Sequence, residues 1–119
     1  MFEIDKVIEL LESSNLISQY NIVVADEISV RAYYKIRCKL IPSYYKLDIK
    51  YIKTENEFTY SYKVYYENPI VWWDNAPHYP NLNNFPHHFH NKEKVEKSNL
   101  DGNLLKDLKN VLEKIPKYL

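Results

Sequence analysis

Residues 29–41 read SVRAYYKIRCKLI, and their alternation sets the fold class. Val30, Ala32, Tyr34, Ile36, Cys38 and Leu40 take one side of a two-residue period, and Arg31, Tyr33, Lys35, Arg37 and Lys39 take the other. One apolar and one cationic face at that period predict a half-buried antiparallel strand. The pattern recurs downstream. Beyond a turn around Pro42, Tyr45, Leu47, Ile49 and Tyr51 alternate with Lys46, Asp48 and Lys50. The polar turn TENE at 54–57 leads to Phe58, Tyr60, Tyr62, Val64 and Tyr66, and ENP at 67–69 leads to the short strand IVWW. Connections this short join neighbouring strands and predict a meander.

Helical spacing flanks the strands. Ile4, Val7, Ile8 and Leu11 predict an amphipathic helix over about residues 3–18, which SSN at 13–15 weakens and can end early. NIVVADE at 21–27 reads as a short strand or a connector. Leu104, Leu105, Leu108, Val111, Leu112 and Ile115 mark a closing helix, with Asp101 or Ser98 as its cap and Pro116 as its end. The expectation is α+β, in a single domain spanning 1–119. It has an N-terminal helix, an antiparallel meander sheet of four to five strands, a histidine- and proline-rich loop, and a C-terminal helix. Both helices should cover one sheet face, the apolar one.

Composition excludes several functions. The chain has 119 residues but only one glycine, Gly102, so no glycine-rich phosphate loop can be built. Cys38 is the only cysteine, which excludes an internal disulfide and any multi-cysteine zinc site. Its place on the apolar strand face predicts a buried structural thiol. No apolar run approaches the ~20 residues of a membrane helix, and no signal-like segment opens the sequence, so a cytoplasmic protein with no membrane partner is expected.

The net charge is zero but unevenly placed. Residues 1–30 carry one basic residue against six acids, residues 31–66 eight against three, and residues 67–119 seven against seven. The polar strand faces collect Arg31, Lys35, Arg37, Lys39, Lys46, Lys50 and Lys63. Such a face suits a polyanion, and Tyr33 and Tyr65 beside it offer stacking surfaces for bases. A solvated lysine-rich face, which also discourages edge pairing, is the competing reading.

All four histidines, His78, His87, His88 and His90, fall within 13 residues of one another, in the proline- and asparagine-rich segment 74–91. Imidazole both accepts and gives up a proton near neutral pH. Prolines at 77, 80 and 86 restrict the segment. Three readings stand. The first is acid–base catalysis without a metal. The second is a divalent metal held by His78, His88 and His90: His88 and His90 point to one side if extended, and His78 or Asp74 could complete the set. The third is structural, with imidazoles bonding loop backbone.

The runs WDNAPHYP (73–80) and FPHHFH (85–90) carry a family resemblance. They resemble the signature of the TumE-type toxins of bacterial and archaeal toxin–antitoxin modules. There an Asp-Asn-Ala-Pro segment with following histidines precedes Phe-Pro-His-His-Lys-His. The matching positions are Asp74, Asn75, Ala76, Pro77, His78, Pro80, Phe85, Pro86, His87, His88 and His90, and the likeness spans roughly 90 residues. Tyr79 stands where a second histidine is common, Phe89 replaces the usual lysine, and Lys50 or a neighbour stands where the second strand often carries a glutamate.

The resemblance implies a toxin neutralised by a cognate antitoxin. Small toxins of such modules are commonly ribonucleases. On that reading the catalytic candidates are His78, His88, His87, His90, Asp74 and Arg37. RNA would be held by Lys35, Lys39, Lys50, Asn75, Tyr33 and Tyr65. One histidine, His78 or His88, would take the 2′-hydroxyl proton, and a second would protonate the leaving 5′-oxygen. Arg37 or Lys50 would neutralise the phosphate, and Asp74 would orient an imidazole. No cofactor is expected, the alternative being a divalent metal. A homodimer is possible. The competing functions are a metal-dependent nuclease or phosphohydrolase and a non-catalytic module that binds nucleic acid or a partner.

Overall fold

The computed structural model describes residues 3–42 and 44–119. It is α+β, with a helix at each end of a single antiparallel sheet. Helix α1 spans Glu3–Ser13. The strands are β1 Ile17–Ile28, β2 Arg31–Leu40, β3 Lys46–Lys53, β4 Phe58–Tyr65, β5 Pro69–Asp74, β6 His88–Asn91 and β7 Lys94–Lys97. Helix α2 spans Leu104–Lys114 and runs into a 3-10 turn at Ile115–Tyr118, where Pro116 denies the α-helix a donor. The strands lie side by side in chain order from β1 to β7, a meander throughout.

The sheet has seven strands, not four to five. NIVVADE does form a strand, β1, which is longer than expected and takes over residues 17 and 18 from the expected helix. Serine hydroxyls end α1: Ser13 Oγ donates to Leu10 O at 3.0 Å, and Ser14 Oγ accepts from Leu16 N at 3.2 Å. Such local bonds compete with the helix ladder. As an edge strand β1 buries little on either side and has two register shifts against β2, so its alternation is faint. The additions are β6, at the end of the proline- and asparagine-rich segment, and β7, in the lysine- and glutamate-rich stretch that follows it.

Alternation places the core. Tyr34, Ile36, Cys38 and Leu40 of β2 face inward with Leu47, Ile49, Tyr51, Tyr60, Tyr62, Val64, Val71, Trp73 and Phe89. Val7 and Leu11 of α1 and Leu104, Leu108 and Val111 of α2 belong to the same buried cluster, so both helices pack on one sheet face. The cap of α2 is Asn103, not Asp101 or Ser98: its side-chain oxygen accepts from Lys106 N at 3.1 Å. Asp101 instead binds Asn103 N at 3.0 Å and the Lys106 ammonium at 2.7 Å, and Ser98 Oγ takes Leu100 N. The buried Asp107 completes this corner by accepting from Asp101 N and Gly102 N.

Candidate active site on the outer sheet face

The outer face is organised in cross-strand rows. Register pairs Lys35 with Lys50, Lys50 with Ser61, Ser61 with Asp74, and Asp74 with His88. Paired residues share a face, so these five side chains form one line across the sheet. The adjacent row runs Arg37, Asp48, Lys63, Trp72, His90. The cationic strands and two of the histidines therefore occupy the same surface. Lys50 sits two strands from Asp74, roughly 10 Å away at ordinary strand spacing.

Strand β6 sorts the histidines by its period of two. His88 and His90 point outward, and His87 and Phe89 turn inward. His87 lies beneath the sheet, clustered with the near-parallel rings of Phe58 and Tyr60, with the Tyr60 hydroxyl 2.6 Å from its Nδ1. Burial holds its pKa below the ordinary histidine value. It thus lies on the opposite side of the sheet from Asp74, His88 and His90.

On the outer side, Asp74 stands between two imidazoles. Its Oδ1 is 2.8 Å from His88 Nε2, and its Oδ2 is 3.7 Å from His90 Nε2. The carboxylate is held by an Asx turn, with Ala76 N donating to Oδ1 at 3.0 Å. His88 is 2 % exposed, and its Nδ1 meets the Pro86 carbonyl at 3.0 Å. Both its ring nitrogens are therefore engaged, and it has no free atom to offer a substrate. His90 is 13 % exposed and stacks on Trp72 with ring centres 4.2 Å apart. Burial lowers its pKa, against the opposing pull of Asp74, and this favours the neutral ring. Tyr79 sets its edge against His88 and His90, at 4.9 and 5.8 Å between ring centres. His78 is exposed on the loop, with its ring centre 6.4 Å from that of Tyr79.

The loop between β5 and β6 is fastened by two asparagines. Asn75 is buried, and its amide accepts from Tyr60 N at 3.0 Å and donates to Phe58 O at 2.9 Å. Its side chain thus joins the loop to β4 instead of facing the outer surface. Asn84, in left-handed backbone at φ 66°, donates to Ser98 O at 2.6 Å and Leu100 O at 2.9 Å. The family match covers residues 5–119, nearly the whole chain, and the family is described as Toxin TumE. The chain belongs to the TumE toxin family. Membership makes it a toxin of a toxin–antitoxin module, with an antitoxin as its partner. No curated protein and no solved structure matches it. Among the described residues of this TumE-family toxin, no helix is long and apolar enough to cross a membrane.

The remaining candidates are spread over the outer face. Arg37 is tied to Asp48 by two hydrogen bonds, 3.0 Å from Nε and 3.2 Å from Nη2, and Tyr65 donates its hydroxyl to the same carboxylate at 3.0 Å. Arg37 is thus already paired. Tyr33 lies in a further row, with Ile52 and Thr59, while Lys39 pairs with Lys46 in the row of Tyr65. Two residues of this surface do not follow from histidine spacing: Trp72, which supports His90, and Ser61, which stands between Lys50 and Asp74. The signal for both was the alternation of WWD against SYK, which places Trp72 and Asp74 opposite Lys63 and Ser61.

Proposed function

We propose that this toxin cuts RNA on the outer face of its sheet. The observation that carries the reading is the unbroken row from Lys35 and Lys50 through Ser61 to Asp74 and His88. Lysines that attract a phosphate backbone deliver it to the place where proton-transfer groups collect. Lys35 and Lys50 hold the chain of phosphates. The Asp74–His88–His90 centre removes the 2′-hydroxyl proton. His78, the exposed imidazole beside Tyr79, protonates the leaving 5′-oxygen. Trp72 and Tyr33 present rings to bases, which suits single-stranded RNA.

The test is cleavage of end-labelled single-stranded RNA by purified toxin, alongside growth inhibition in cells. Asp74→Asn and His90→Ala should lose both activities, and His78→Ala should slow cleavage by ~10²–10⁴, the usual worth of a placed proton-transfer group. If Asp74→Asn and His90→Ala stay as toxic as the parent, the chemistry lies elsewhere. Tight RNA binding without any cleavage would favour the non-catalytic module.

A further inference from the structure

The contact between His88 and Asp74 poses a question of hydrogen placement. The Pro86 carbonyl is an acceptor only, so the His88 Nδ1 at 3.0 Å from it carries the hydrogen. In a neutral ring that leaves a lone pair on Nε2, which faces a carboxylate oxygen at 2.8 Å. Two electron-rich atoms do not rest at that separation without a proton or a metal ion between them. His90 turns its own Nε2 toward the same carboxylate at 3.7 Å. The three donor atoms lie within 4.8 Å of one another.

We infer that Asp74, His88 and His90 form a binding site for a divalent transition metal ion. The separations fit: ions bound tetrahedrally at ~2.0–2.2 Å by imidazole and carboxylate hold adjacent donors ~3.3–3.6 Å apart, and the two carboxylate–imidazole distances, 2.8 and 3.7 Å, fall on either side of that range. The surroundings fit as well. A metal-binding histidine ordinarily donates its far N–H to a carbonyl or carboxylate, as His88 does to Pro86. Stacking on Trp72 and the edge of Tyr79 fix the plane of His90, and the Asx turn fixes Asp74. Two imidazoles with one carboxylate select zinc or its first-row neighbours over magnesium and calcium, which take oxygen donors. His78, one of the ligands expected from sequence, lies outside this set, and Asp74 takes its place. Three protein donors leave positions on the ion for water, whose pKa a bound zinc lowers to ~7. The role of such water in cutting RNA rests on the ribonuclease reading. The binding of the ion does not.

The test is calorimetric titration of full-length metal-stripped toxin with zinc chloride, with no RNA present. The expected result is one zinc per chain, at least tenfold weaker in Asp74→Asn and His90→Ala. The affinity should be unchanged in His78→Ala, and millimolar magnesium should not compete. Circular dichroism of each variant separates lost ligands from lost folding. No stoichiometric zinc uptake, or an affinity that depends on His78 and not on Asp74, would overturn the site. Cleavage assayed separately with and without EDTA keeps the two readings apart. Zinc uptake without cleavage leaves the site standing and removes the ribonuclease, while cleavage in EDTA without zinc uptake does the reverse.

Discussion

The Tyr60 hydroxyl lies 2.6 Å from Nδ1 of His87, on the side of the sheet away from Asp74. The His87 ring shares this bond with the hydroxyl while it packs against the rings of Phe58 and Tyr60. His87→Ala should therefore act on stability, through a cavity and an unpaired hydroxyl that costs ~1–3 kcal/mol. Urea unfolding should detect that loss. Cleavage per folded molecule should stay within a few-fold of the parent. A variant of full stability with no cleavage would place His87 back in the chemistry.

Asn75 is the fastening of the loop to β4. Asn75→Ala removes an acceptor from Tyr60 N and a donor to Phe58 O, both at the end of the strand that carries Ser61. Asn75→Asp keeps the acceptor but loses the donor. The expected order of melting temperature is parent, then Ala, then Asp, whose buried carboxylate would face the Phe58 carbonyl with no hydrogen between them. A melting temperature in Asn75→Ala equal to that of the parent would mean the two bonds contribute nothing.

Much of this was legible in the sequence, and the reason is periodicity. β2, β3 and β4 have one side in the core and one in water, so each residue type reports its face. Edge strand β1 has no deeply buried side, and its pattern is correspondingly weak. β6 is four residues long, and three of them are His88, His90 and Asn91, whose polarity suggests loop. Their strand geometry comes from pairing with β5, a non-local cause that local propensity does not record. The candidate site was legible as a set of residues but not as a partition. The same alternation that makes neighbours of His88 and His90 sends His87 to the other side. The pairing of Arg37 with Asp48 depends on the register of β2 with β3, which no short motif carries.

Cys38 is fully buried, and burial pushes its thiol up to about 12. Native toxin should thus resist iodoacetamide at pH 8 and react rapidly in denaturant. The linkage has a definite sign. An exposed thiol in the unfolded chain ionises above ~8.5 while the folded one keeps its proton, so stability falls as pH rises from there towards 12. The slope from this group approaches ~1.4 kcal/mol per pH unit. The stability advantage of the parent over Cys38→Ala should shrink by that slope between pH 9 and pH 11. A constant advantage would contradict a protonated buried thiol.

Gly102 holds left-handed backbone at φ 93°, and a Cβ there would collide with the Phe58 ring. Gly102→Ala combines ~1–2 kcal/mol of backbone strain with ~1–3 kcal/mol of overpacking. Part of the second cost should return in Gly102→Ala with Phe58→Leu, which shortens the ring. If the double variant is no more stable than the sum of the singles, the two residues are uncoupled.

Arg37 and Lys50 belong to the same cationic surface but should respond differently to salt. The Arg37 guanidinium is shared with Asp48 through two bonds, so a phosphate gains it only by displacing the carboxylate. Lys50 is exposed and lies in the row that leads to Asp74. Each phosphate neutralised on a single strand contributes ~0.7 to the slope of log affinity against log salt. Lys50→Ala should lower the slope of RNA binding by about that amount, and Arg37→Ala should lower it by much less. Asp48→Ala should raise it, because it releases Arg37 to the surface. Filter binding of a cleavage-dead Asp74→Asn background over a salt series reads all three. A larger loss in Arg37→Ala than in Lys50→Ala would put the RNA path over the Arg37 row and away from the line of Lys35, Lys50 and Ser61.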